Sequence, residues 1–407
     1  LRILIIGNLY PPHSLGGYEI LCQQIVQGFS RLGHQLQILT SNWAAPGVQS
    51  DAAFDEQVKV VRSLRLMTDF PHPPGRNPLT ELRTASYNYG VTKEAIAAFK
   101  PESIVIFSQL RLSLGSARAA EEFGCPVLYS WNDEHPVGYV SQPLELAGLG
   151  RFAKAKRLLR WLIDHSLLRN EQITRLRLRH TSAISRCIVD RMAARGLRPR
   201  FPTRIIYQGI PLEKFPMRSD FELKSPVRIL YTGQLHSYKG VHTLLEAVSL
   251  LKQRGLNVHC TVVGRGDGAY LEQLKATAEN KQIEVDFQGY RPHHELPELY
   301  RNSDIFVFPS IWQEPFGLTH LEAMASGLPV VSTTHGGQGE CLVDGENCLA
   351  FGPDDAEQLS RQLQRLIESS QLRDRLIQNG RKTVTEKLNL DNYVRELEQW
   401  VREAVCP

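Results

Sequence analysis

The strongest constraint on this chain is a rhythm. Short continuous apolar runs alternate with stretches of helical period, and the whole series is run through twice. RILIIG (2–7) is fit for a strand buried on both faces of a parallel sheet. After a loop with Pro11, Pro12, Gly16 and Gly17, residues Ile20, Leu21, Ile25, Val26 and Phe29 recur at helical spacing. Gly33 stops that helix and QLQILTS resumes as a strand, which completes one βαβ unit. The alternation continues with a helix near 80–98, strand SIVIF (103–107), a helix near 113–123 and strand PVLYS (126–130). Long basic helices over roughly 150–180, then SAIS (182–185) and RIIYQG (204–209), close the first series. Gly209, Pro211, Pro216 and Pro226 lie among mixed charges, a composition suited to a connector.

The second series runs VRILYTG (227–233), a helix at 241–253, NVHCTVVG (257–264), a helix at 269–280, VDFQGY (285–290), IFVFPS (305–310) and LPVVST (328–333). Because 407 residues exceed what one core usually organises, the reading is two doubly wound α/β domains in tandem. Their expected bounds are 1–208 and 227–386, with a linker at 209–226. In the last segment, 387–407, Tyr393, Leu397, Trp400, Val401 and Val405 fall near one helical face. That face needs a partner, and a helix crossing back to the first domain would supply one.

Composition narrows the class. With 42% hydrophobic and 22% charged residues the chain reads as an ordinary globular protein. Seven cysteines without any CxxC pair fit neither a disulfide framework nor a zinc site. No run approaches the roughly 18 to 20 apolar residues of a membrane span, and no signal-peptide pattern opens the chain, so a cytoplasmic location is expected. Between 151 and 200, fourteen Arg or Lys face only Asp164, Glu171 and Asp190. This segment is either a solvated helix face or a surface that meets an anionic membrane or a phosphorylated acceptor. Without an interleaved aromatic motif, nucleic acid is not expected as a partner.

The chemistry concentrates in PSIWQEPFGLTHLEAMASGLPVVST. Leu318 to Ser326 reads as a helix stopped by Gly327, with Glu314 just before it and Glu322 well inside. Eight residues of helix rise about 12 Å. A retaining glycosidase sets its carboxyls only about 5 to 5.5 Å apart, so these two more plainly hold separate hydroxyl-bearing parts of one extended ligand, a ribose and a sugar. Between them, the N–H groups of Gly317, Leu318 and Thr319 form a helix start that suits a diphosphate. Upstream, TGQLHSYKG (232–240) sets Lys239 between a strand and a helix, at the sheet edge where α/β folds bind ligands. Gly16 and Gly17 would let backbone N–H groups approach a phosphate. GxGxxG after the first strand and GxxxxGK[ST] are both absent, which counts against hydride transfer and NTP hydrolysis.

These pieces resemble the retaining, GT-B-fold glycosyltransferases of family four. The likeness covers nearly the whole chain, in family order: GGYE, RLGHQLQILTS, VLYSWNDEH, YQGIPLEKF, YTGQLHSYKG, VVGRGDGAYLEQL, FQGYRPHHELPELYRNSDIFVFPS, EPFGLTHLEAMASGLPVV and GGQGECLVDGENCLAF. The resemblance implies two Rossmann-like domains facing across a cleft, and transfer of a hexosyl group from a nucleoside-diphosphate sugar to an acceptor hydroxyl with retention. Polysaccharide or glycoconjugate biosynthesis is the implied setting, with a sugar, lipid-linked or small-molecule acceptor. It implies that Glu322 holds the ribose, Glu314 the sugar hydroxyls and Lys239 the diphosphate, with Glu314 and Lys239 as the catalytic pair. Gly233, Gln234 and the backbone from Phe316 through Gly317 and Leu318 to Thr319 would line the donor. Gly16 and Gly17 would close on it from the first domain, and the Gln288-Gly289-Tyr290 turn would contact the base; beyond the resemblance, the ring of Tyr290 is expected to stack on that base.

Two departures stand at the expected centre. Gln234 occupies a position where the family often has Arg, and Asn132 one where it often has His. Losing an arginine removes a fixed cation and leaves Lys239 as the remaining charge. Asn132, Asp133 and His135 are the acceptor-side candidates, with His135 either substituting by register or standing as a surface histidine. No DxD-type carboxylate pair is present to hold Mg²⁺, so catalysis without metal or cofactor is expected. The alternative is a non-catalytic or altered nucleotide-sugar-binding protein that serves as a membrane or complex partner.

Overall fold

The computed structural model describes residues 1–13, 17–45, 48, 58–70, 77–140 and 150–406. They form two compact units. Unit 1 comprises Leu1–Ile184, Ile188–Ile206 and Val394–Pro407, and unit 2 comprises Ser185–Cys187 and Tyr207–Tyr393.

Unit 1 is built on a parallel sheet of β1 (Arg2–Ile6), β2 (Gln35–Ser41), β3 (Lys59–Leu64), β4 (Ser103–Ile106), β5 (Val127–Trp131), β6 (His180–Ala183) and β7 (Arg204–Ile205). Their spatial order is β3-β2-β1-β4-β5-β6-β7. Ile5 pairs with Ile38 on one side and Val105 on the other, so β1 is central and Ile3–Ile6 are buried. Parallel strands need crossovers, supplied by α1 (Gly17–Arg31), α2 (Pro78–Phe99), α3 (Gly115–Phe123) and α5 (Arg186–Ala194). Helix α2 starts where Asn77 accepts from the N–H of Leu79 and Thr80, with Pro78 in the first turn. It packs closely on α3, because a Cβ on Gly115 would lie 2.1 Å from the Ala85 carbonyl oxygen.

The long basic helices expected over 150–180 are instead one helix, α4 (Arg151–His165), followed by single 3-10 turns at Arg169–Glu171 and Ile173–Arg175. The chain turns there because Leu168 and Ile173 must reach the core, where both are fully buried. The Gln172 side chain fixes the turn by donating to the Asp164 carbonyl at 2.7 Å.

Unit 2 repeats the plan with β8 (Val227–Thr232), β9 (Val258–Val263), β10 (Val285–Gly289), β11 (Ile305–Phe308), β12 (Val330–Ser332) and β13 (Leu349–Ala350), ordered β10-β9-β8-β11-β12-β13. Its helices are α6 (Val241–Gln253), α7 (Gly268–Asn280), α8 (Leu296–Arg301), α9 (Thr319–Ala325), α10 (Ala356–Glu368) and α11 (Ser370–Glu386). The core joins Ile229, Ile305 and Val307 of the sheet to Leu244, Leu245, Val248 and Leu251 of α6 and Leu359, Leu363 and Leu366 of α10. The two sheets are the two Rossmann-like units that the alternation predicts.

The last helix, α12 (Leu390–Val405), starts in unit 2, and its residues from Val394 onward belong to unit 1. There Leu397, Trp400 and Val401 line one small apolar pocket together with Ile5, Cys22, Ile25, Phe29 and Phe107. His34 meets Glu398 at 2.9 Å. Among the described residues no helix is long and apolar enough to cross a membrane.

Candidate active site

In unit 2 the strands β8, β11 and β12 are neighbours, so the loops leaving their carboxyl ends converge. The loop after β8 makes one 3-10 turn, Ser237–Lys239, and passes into α6 through Gly240. Only glycine fits there. Its φ is +70°, and a Cβ would stand 2.0 Å from the Pro309 carbonyl oxygen. The loop is pinned to the end of β11, since the N–H groups of Ile311 and Trp312 both donate to the Tyr238 carbonyl.

That register brings Lys239 to Glu314. The ammonium lies 2.7 Å from Glu314 Oε1, and Ser310 Oγ donates to the same oxygen at 2.7 Å. The side chains are 17% and 5% exposed, so this is a largely buried ion pair. Lys239, the cation left at the expected centre, thus has a carboxylate as its direct partner. The Lys239 ammonium also lies 5.3 Å from the ring centre of Trp312. Burial, with Glu314 close by, pushes the phenols of Tyr231 and Tyr238 up, so both stay protonated.

Glu322 is held separately. Tyr300 donates to its Oε2 at 2.8 Å, and His293 Nε2 lies 3.0 Å from its Oε1. Thr232, the last residue of β8, meets the Tyr300 hydroxyl at 2.9 Å, which ties this carboxylate back to the sheet. Burial and then the charge of Glu322 raise the Tyr300 phenol well above its ordinary value. Glu314 and Glu322 therefore have distinct donor sets, one from β8 and β11 loops and one from α8 and its preceding turn. Sequence reasoning named neither Tyr300, His293 nor Ser310. Tyr300 reads as a core aromatic, and His293 is indistinguishable from His294 beside it.

The helix that carries Glu322 is shorter than the expected 318–326: α9 covers Thr319–Ala325. Leu318 supplies no side-chain cap, although its carbonyl accepts from the Glu322 N–H. Among the described residues no acceptor pairs with the N–H groups of Gly317, Leu318 or Thr319. The preceding Phe316 is fully buried and stacks on Tyr207 at 5.6 Å. A second glycine-dependent approach braces the turn, because a Cβ on Gly337 would sit 1.9 Å from the Pro315 carbonyl oxygen. His320 is completely buried, its pKa pushed down to about 3 by burial, and its Nε2 lies 3.6 Å from Cys341 Sγ.

Other sequence candidates fall at different places. Gly233 begins the turn after β8 with φ +158°, and the Gln234 carbonyl accepts from Tyr231 at 2.7 Å. Tyr290 is exposed, with the Arg265 guanidinium 4.6 Å from its ring centre. In unit 1, Gly16 lies outside the described residues and Gly17 opens α1. Asn132 is buried and donates to Tyr18 at 3.2 Å. His135 and Asp133 pair at 3.3 Å beyond β5, where burial raises the aspartate and His135 opposes the shift.

Comparison with known proteins bears on these features. Residues 16–208 match the family described as "Glycosyl transferase 4-like domain", and residues 215–383 match "Glycosyl transferases group 1". The chain is 24% identical over 411 residues to "Uncharacterized glycosyltransferase MJ1607" of Methanocaldococcus jannaschii, covering 97% of this chain and 96% of that protein. Among solved structures, sucrose-phosphate synthase from Thermosynechococcus elongatus superposes with a TM-score of 0.74 at 20% identity, over 100% of this chain and 99% of the other. Anabaena Alr3699/HepE in complex with UDP-glucose does so with a TM-score of 0.67 at 18% identity, over 99% of each. These likenesses show the shared GT-B fold. With one family match on each half and the same two-unit plan throughout, the chain belongs to the group 1 glycosyltransferases.

Proposed function

We propose that this glycosyltransferase moves a hexosyl group from a nucleoside-diphosphate sugar to an acceptor hydroxyl, with retention and without a metal or other cofactor, in polysaccharide or glycoconjugate assembly. The observation that carries the reading is the buried Lys239–Glu314 pair at 2.7 Å on the ligand-binding edge of the unit 2 sheet, with Glu322 held apart by Tyr300 and His293. In this reading Glu322 accepts from ribose hydroxyls and Glu314 from sugar hydroxyls. Lys239, next to Glu314, takes the diphosphate. The unpaired N–H groups of Gly317 to Thr319 add donors to the same anion, and Tyr290 stacks on the base. That a similar protein, HepE, is solved with UDP-glucose supports a nucleotide-sugar donor.

The anomeric C–O bond breaks toward the diphosphate, which leaves with both electrons. The acceptor oxygen bonds to the same face of the sugar, and its proton passes to the departing phosphate oxygen. Negative charge grows on the leaving group, where Lys239 offers a fixed cation. The acceptor side rests on Asn132, Asp133 and His135, and basic segment 151–200 makes a peripheral contact with an anionic membrane. The test is acceptor-stimulated nucleotide release from a panel of UDP-, GDP- and ADP-sugars with a chelator present. Glu314→Ala is expected to collapse transfer while nucleotide binding changes modestly. Normal turnover by that variant, or turnover only with added divalent metal, would overturn the assignment.

A further inference from the structure

Helix α4 is amphipathic with its faces reversed. At 100° per residue, Phe152, Ala155, Leu158, Leu159, Leu162 and Ile163 share one arc of about 140°. Only Arg151 falls within it. In a helix docked on a core this arc would be the covered one. Here it is bare: Phe152 is 94% exposed, Leu159 59% and Leu162 49%, with Ile163 half-covered at the arc's edge. The opposite side carries the other half-covered residues, Arg160, Trp161 and Asp164. On this side the Asp164 carbonyl accepts from Gln172 at 2.7 Å, which ties the last turn of the helix to the chain beyond it, while Arg160 bonds Asp164 at 3.1 Å and Trp161 stacks on His165 at 4.2 Å along the helix.

Contiguous apolar surface of this kind marks an interaction site. The flanks say which. Lys156 borders one edge of the arc, His165 and then Lys154 the other, and α4 carries five Lys or Arg against Asp164 alone. A second copy laid arc to arc would bring these cations beside their own kind, which is repulsive. A bilayer with anionic headgroups satisfies both halves at once. We propose that α4 is an interfacial helix lying in the plane of an anionic membrane, with Phe152, Leu159 and Leu162 among the acyl chains and Lys154, Lys156 and Arg157 at the level of the lipid phosphates. This rests on the peripheral membrane contact proposed above and adds insertion to it.

The full chain is sedimented with vesicles of phosphatidylcholine alone or mixed with phosphatidylglycerol. Binding is expected only to the mixed vesicles. K154Q/K156Q should weaken it roughly 25-fold, about fivefold for each cation removed near such a surface. F152S/L159S, which leaves every charge in place, should weaken it at least about tenfold through lost apolar burial. Both variants should melt like the parent, since all four side chains are exposed. Equal binding by F152S/L159S with loss in K154Q/K156Q would sink insertion and keep the electrostatic contact. No preference for phosphatidylglycerol would sink both. A dimer in solution that F152S/L159S abolishes would make the arc a self-association surface and overturn the proposal.

Discussion

Replacing Lys239 with methionine keeps most of the side chain's bulk and removes its charge. Glu314 then loses its cation while remaining almost wholly buried, with Ser310 still donating to Oε1. Breaking a buried pair from one side costs about 3–5 kcal/mol, because the surviving charge cannot regain its water shell. In a body of the size of unit 2, each kcal/mol moves the melting point by about 2–4 °C, so K239M should lower the unit 2 transition by roughly 6–20 °C. The double variant K239M/E314Q removes both charges and should recover most of that loss. Calorimetry of the four proteins closes the cycle. Were K239M to cost under about 1 kcal/mol, or the double variant to cost the sum of its singles, the pair would not be a buried counterion arrangement, and the reasoning that puts it at the centre of the site would fail.

Tyr300→Phe removes a donor to Glu322 without changing packing, and a hydrogen bond to a charged group is worth about 1.5–3 kcal/mol. If Glu322 is oriented by that bond, nucleotide titration should show weaker binding by about tenfold or more, with kcat at saturating donor far less affected; an unchanged affinity would remove Tyr300 from the site. His320 is held neutral in the folded chain, with its pKa near 3, whereas the unfolded chain protonates it near its ordinary 6.5. Below about 6.5 the unfolded state therefore binds more protons, and stability falls as pH drops toward 3 at up to about 1.4 kcal/mol per unit. Urea titrations at several pH values should show this slope in the parent and a shallower one in His320→Gln; equal slopes would mean that the imidazole is reached by water.

Much of this was legible in the order of residues. Continuous runs such as Ile3–Ile6 and Ile305–Phe308 had to be doubly buried strands, and glycines at 33 and 327 had to stop helices. The edge strand β3 escaped notice because Lys59–Leu64 is mostly half-covered and lacks a clean apolar run. Strand β13 is only two residues, too short for any period. At the site, the glutamates and Lys239 could be singled out by their place beside turns. Their donors could not. Tyr300 reaches Glu322 from 22 positions away and Lys239 reaches Glu314 from 75, and such pairings exist only once the sheet has closed. Helix α4 illustrates the converse. Its charges were plain in sequence, but which arc is left exposed shows only in the folded chain.

The last residues of this chain have a temporal meaning. Leu397, Trp400 and Val401 complete an apolar surface whose other half, Ile5, Cys22 and Phe29, leaves the ribosome well before them. Unit 1 must wait, through the synthesis of all of unit 2, for the piece that seals it, so of these two units the one begun earlier is finished later. A nascent chain stalled before Val394 would carry a closed second domain and an open first one, with greasy residues offered to chaperones rather than to a helix.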